Sequence, residues 1–106
     1  MSQEIDQHAV KELDLYWSND ADLYKLSEEW VQLYYRKMQK GIYNEELALQ
    51  GIVNNFVPNI IRKYRKKIGI NEFVPSKINA ATKIELGKEI MISITDGLNY
   101  LISKSE

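Results

Sequence analysis

Arg62, Lys63, Arg65, Lys66 and Lys67 place five cationic side chains within six positions, interrupted only by Tyr64. Lysines and arginines in such a run are suited to contacting phosphates. On a helix, a step of about 100° per residue sets Val57, Ile61, Tyr64 and Ile68 on one side and the cations on the other. The cations also fall in the last turns, where positive charge complements the helix dipole by roughly 0.3–1 kcal/mol each at best. Two readings follow. The run is either a solvated, dipole-matched helix end, or a nucleic-acid-binding surface made of these five residues.

The remaining chemistry-bearing residues converge less. His8 is the only histidine and has no neighbouring ligand set, which reads as a surface helix position. Glu28–Glu29 and Glu45–Glu46 are adjacent pairs, so their carboxylates diverge rather than form an acid–base couple. Asp20-Ala21-Asp22 lacks the glycine and distal glutamate of a calcium loop. No serine stands in a nucleophile-elbow context, and no glycine loop is built to cradle phosphates. With no cysteine, thiolate nucleophiles, thiolate metal sites and disulfides are excluded together. The sequence therefore reads as a non-enzymatic protein without a cofactor or metal.

Composition bounds the rest. A chain of 106 residues with 44% hydrophobic and 27% charged residues is expected to form one helical domain over 1–106. An acidic, polar start and the lack of a long apolar run point to a cytoplasmic protein with no membrane partner. Net charge is −1, yet it is unevenly spread. Residues 1–61 carry five Lys/Arg and ten Asp/Glu, residues 62–88 carry eight against two, and residues 89–106 one against three. A basic segment thus sits within an acidic chain.

The elements that must position these residues are helices. Ile5, Ala9, Leu13 and Tyr16, with Trp17 beside them, mark a first helix over roughly 4–17. Asn19 or Asp20 then caps a second helix running to about Lys40, with Leu23, Leu26, Trp30, Tyr34 and Met38 as its apolar stripe. Gly41 supplies the left-handed residue after it, and Asn44 caps a third helix. That helix carries Leu49, Val53, Phe56, Val57, Ile60, Ile61, Tyr64 and Ile68, and ends at Gly69. Pro58 lies inside it, which predicts either a kink or a restart with the proline in a first turn. Residues 69–77 form a connector, and order over residues 70–81 is left open. Thr82-Lys83-Ile84-Glu85 reads as a capping box for a last helix with Leu86, Ile90, Ile94, Leu98 and Leu101 inward. IMISIT, residues 90–95, also alternates like a strand, but a strand without a partner is a poor solution and helix is preferred.

The expected fold is all-α, a compact four-helix bundle-like domain with a central antiparallel hairpin over residues 20–67. The short turn at 41–44 makes its two helices antiparallel, so Arg36, Lys37 and Lys40 lie roughly 30 Å from residues 62–67 and no continuous phosphate track forms. Asp20 and Asp22 would sit near the basic end, with Lys77 and Lys83 brought toward it. Tyr34 and Tyr35 point in successive directions and cannot share one core stripe. An exposed Tyr35 beside Arg36 would make a protein-binding anchor. The broad apolar face of the third helix also allows a homodimer.

The run Lys37 to Ala48 (K-x-x-KGIY-x-x-x-x-A), the RKYRKK of 62–67, Phe73 and the TKIELGKEI of 82–90 resemble a group of short all-helical proteins encoded by phages, plasmids and integrative elements. The similarity spans about residues 13–95. The chain departs from that pattern at Asn44, Trp17, Trp30 and Gly87, and in a longer connector. The resemblance implies a mobile-element origin and an accessory or host-interaction role. Two functions are therefore expected in order: binding of a protein partner through a helical surface, with Tyr35 and Arg36 as anchors, and nucleic-acid-associated regulation through the basic end.

Overall fold

Short polar side chains start four of the helices, three of them in the first half of the chain. Asp6 accepts from the backbone N–H of Ala9, Asp20 from that of Leu23, and Asn44 from that of Leu47, each satisfying a donor that the first turn leaves free. The structure, a computed structural model, describes residues 4–69 and 78–105. It contains α1 (Gln7–Asn19), α2 (Ala21–Gln39), α3 (Glu45–Gly51), a π-helical turn (Ile52–Phe56), α4 (Val57–Ile68) and α5 (Ala80–Ser105). Because α3, the π turn and α4 follow one another without a gap, the described residues make four helical bodies. No strand occurs among the described residues, and IMISIT is helical throughout. The fold is an all-α bundle. No helix among the described residues is long and apolar enough to cross a membrane.

Several local expectations are corrected. α1 begins at Gln7, so Ile5 precedes the helix and is exposed rather than part of its stripe. Thr82 does not cap α5. Asn79 does, accepting from the N–H of Thr82 at 2.8 Å, so the helix starts earlier than a cap at Thr82 requires. Thr82 itself is 1% exposed, and its hydroxyl accepts from the N–H of Asp6 at 3.0 Å. That bond ties the entry of α1 to the entry of α5. The expectations for residues 70–77, with Lys77 and Phe73 among them, lie outside the described residues.

Pro58 is accommodated by a restart. The N–H of Val57 reaches Ile52 O, five residues back, so the helix widens for one turn just ahead of the proline. Pro58 then stands in the first turn of α4, where its missing N–H and its ring do least harm. The torsions of Gly51, Ile52, Phe56 and Val57 stay right-handed helical throughout. Ile52 and Phe56, at the two ends of the widened turn, are both buried.

The hairpin is antiparallel as expected. Lys63 on α4 meets Asp20 at the start of α2, while Tyr34 near the end of α2 meets Ala48 on α3. The element that holds the bundle together is α5, which lies against α1, α2, α3, the π turn and α4. Its inner side contributes Leu86, Ile90, Met91, Ile94 and Leu98 to one core with Leu13, Trp17, Leu23, Phe56, Val57, Ile60 and Ile61. Trp17 and Phe56 meet edge to face at 5.9 Å between centroids, which fixes α1 against the π turn.

Candidate functional site

The basic run is divided by its surroundings. Tyr64 packs on the core and donates to Glu12 at 2.8 Å, while its ring lies 5.0 Å from that of Tyr16. Lys63 reaches Asp20 at 2.8 Å and Asp22 at 3.3 Å. These contacts raise the ammonium pKa of Lys63, and the Lys63 hydrogen bond holds the carboxyl of Asp20 below its ordinary range. Lys67 sits 5.3 Å above the Tyr16 ring, where its charge meets the negative face of the aromatic system. Two of the five sequence-predicted phosphate contacts are therefore occupied within the fold. Arg62 and Lys66 are exposed and Arg65 is half-buried, and none of the three has an ion-pair partner among the described residues. His8, also exposed, stands 2.9 Å from Glu12.

Tyr35 is not the open anchor the sequence suggests. It is half-buried and packed on the core, whereas Arg36 is exposed. The aromatic concentration is found on the neighbouring face of α2, where it meets the turn and α3. Trp30, Tyr34 and Tyr43 form a consecutive ring cluster, with centroids 5.6 Å and 5.7 Å apart. Gly51 sits close under the cluster: a Cβ there would stand 3.2 Å from the Tyr34 hydroxyl and 3.7 Å from the Trp30 ring.

This arrangement leaves a cleft of about 150 Å³, lined among others by Trp30, Leu33, Lys37, Tyr43 and Leu47. Ile42 and Leu47 stand at its edge, each 63% exposed. The two side chains meet at one cleft, so the apolar surface there is contiguous rather than scattered. The Lys37 amine lies 6.0 Å over the Tyr34 ring and gives the cleft a positive wall. Together these residues form an aromatic floor, an apolar rim and one cation at the tip of the hairpin. The sequence signal that points to this place is the Gly41-Ile42-Tyr43-Asn44 turn, whose Ile42 has no core stripe to join.

Tyr34 fixes the floor. Its hydroxyl donates to Ala48 O at 2.9 Å, and burial, the main cause, together with Tyr43 pushes its pKa up to about 12. The unfolded tyrosine loses its proton near pH 10. The folded state therefore retains a proton that the unfolded state gives up, and stability falls as pH rises from about 10 towards 12. Replacing Tyr34 with phenylalanine is expected to remove about 0.5–1.5 kcal/mol at neutral pH and to flatten that alkaline limb. Chemical denaturation across alkaline pH, with tyrosinate absorbance as the titration signal, checks both effects. A Tyr34 that ionises near pH 10 in the folded protein contradicts the burial of its hydroxyl.

A second, wider groove of about 440 Å³ separates α2 from α5, with Tyr24 and Tyr100 among its lining residues and Val31, Ile94 and Gly97 between them. Among the described residues, no group of three or more His, Cys, Asp or Glu side chains is placed to hold a metal ion. Comparison of the chain with known protein families, with curated proteins and with solved structures finds no match.

Proposed function

We propose that the chain is a small non-enzymatic accessory protein that binds a protein partner at the tip of the α2–α3 hairpin. The observation that carries this reading is the open cleft over Trp30, Tyr34 and Tyr43, with Ile42 and Leu47 exposed beside it. Rigid aromatic side chains ringed by apolar ones supply most of the energy in interfaces of this kind. Lys37 in the wall, with Arg36 and Lys40 nearby on the same helix end, favours a partner segment that carries a bulky apolar residue flanked by Asp or Glu. A mobile-element origin, which the resemblance implies, fits an accessory role of this type.

Selection from a displayed random-peptide library tests the reading directly. Peptides combining an aromatic or aliphatic anchor with acidic neighbours are expected to enrich. Leu47→Glu should weaken them by at least about tenfold, equivalent to about 1.4 kcal/mol, while leaving the helical circular dichroism unchanged. Failure to enrich any peptide, or equal binding by Leu47→Glu, defeats it.

The second reading keeps Arg62, Arg65 and Lys66 as phosphate contacts, and is favoured by their lack of an ion-pair partner among the described residues. It predicts a mobility shift with DNA or RNA that fades steeply with salt and weakens on charge reversal at Arg65 and Lys66. Absence of a shift at low salt removes it.

A further inference from the structure

The outer surface of α5 carries a row of residues that the core does not use. Ile84, Lys88, Ile92, Asp96 and Tyr100 follow one another at intervals of four residues, and all five are exposed. Exposure reaches 42% for Ile84, 58% for Ile92 and 65% for Tyr100. Residues four apart on a helix form a continuous ridge. Lys88 and Asp96 have no ion-pair partner among the described residues. Lys88, Ile92 and Asp96 also line a shallow groove between α3 and α5 with Leu49 and Met91, so the apolar surface at Ile92 extends beyond one side chain.

The order of residues along the ridge is complementary to itself when reversed. Lys88 and Asp96 stand equally far from Ile92 on either side, as do Ile84 and Tyr100. We infer that α5 is a self-association surface, and that its partner is a second copy of this chain related by a two-fold axis at Ile92. In that arrangement the two α5 helices run in opposite senses, with Ile92 against its counterpart in the other copy. Lys88 of each chain faces Asp96 of the other, while Ile84 and Tyr100, each about 80° around the helix from Ile92, lie to the two sides of the contact. This is the isologous pairing a two-fold dimer requires, because every contact off the axis occurs twice. Ridges of this type slope by about 26° from the helix axis, so the two rows lie along one another when the axes cross at roughly 50°. A parallel pairing in register would instead set Lys88 against Lys88 and Asp96 against Asp96, and the charges select against it.

The charge order supplies a test that a generic apolar contact cannot pass. Sedimentation of the full chain is expected to show a dimer of twice the 12.4 kDa chain mass. Ile92→Glu places two carboxylates on the axis and should weaken the dimer by at least about tenfold. Lys88→Asp and Asp96→Lys should each weaken it, since each sets like charges face to face. Mixing these two variants should restore association, because the first carries a carboxylate at both charged positions of the ridge and the second an ammonium at both. All three positions are exposed, so unchanged helical circular dichroism separates loss of contact from loss of fold. A wild-type chain that remains monomeric at millimolar concentration overturns the inference. So does a dimer indifferent to Ile92→Glu, or single-charge variants that fail to recover on mixing.

Discussion

Phe56→Ala is expected to remove about 3–5 kcal/mol of folding free energy. Phe56 is 2% exposed, closes the π turn, and meets Trp17 edge to face. Its loss takes away both the apolar area and the aromatic contact, and leaves a cavity where α1 meets α3–α4. A domain of this size has about 5–15 kcal/mol in all, so the variant should lie close to the limit of folding. Phe56→Leu keeps most of the volume and should lose under about 1.5 kcal/mol. Chemical denaturation followed by circular dichroism compares the two, with Trp17 fluorescence reporting the local packing. If alanine costs no more than leucine, the π turn does not lie in the core.

The placement of Phe56 shows how far the sequence can be read. Val57, Ile60 and Ile61 recur at helical spacing, and the inward side of α4 follows from them alone. A π turn inserts one residue into that spacing. Pro58 marks where the regular helix is in difficulty, but either a kink or a restart would relieve it, and the choice depends on what Ile52 and Phe56 pack against. Caps divide in the same way. Asp20, Asn44 and Gly41 act within four residues of themselves, and their roles are legible. Thr82 has the local pattern of a cap, but its hydroxyl is taken by the backbone of Asp6, a partner 76 residues away in sequence. Nothing near Thr82 announces that bond, and Asn79 performs the capping instead.

The ambiguity at residues 90–95 has a physical origin. Ile90 and Ile94 face the core, one turn apart, and alone they would spell a helix. Ile92 lies between them on the outer ridge, and its presence turns the pattern into an alternation that resembles a strand. The residue that obscures the secondary structure is the one on which the proposed two-fold axis falls. At the hairpin tip the difficulty is direction. Tyr34 and Tyr35 are distinguishable as facing different ways, but the exposed apolar surface arises from Ile42 and Leu47, which lie outside every stripe. The cleft needs rings from α2 and from the turn, and only the assembled bundle brings these together.

Gly87→Ala should destabilise the protein although it improves the helix. Alanine is favoured over glycine in a helix interior by about 1 kcal/mol. At Gly87, however, a Cβ would stand 2.5 Å from Val53 Cγ2 and 3.3 Å from Leu49 Cδ1. Valine is stiff about its Cα–Cβ bond, so relief requires α5 to move away from the π turn. Overpacking of this kind typically costs about 1–3 kcal/mol, which exceeds the gain in propensity. Val53→Ala alone should also destabilise, because it removes two methyl groups from the same contact. In the double variant the new methyl at 87 enters the space vacated at 53. The two changes should therefore offset one another, with a coupling of about 1 kcal/mol or more in favour of the pair. Equilibrium unfolding of the four proteins measures that coupling. Simple additivity would mean that the glycine does not set the distance between α5 and the π turn. A positive coupling would establish Gly87 as the point of closest approach to the π turn, and explain why α5, one of whose two interior glycines this is, keeps a glycine there.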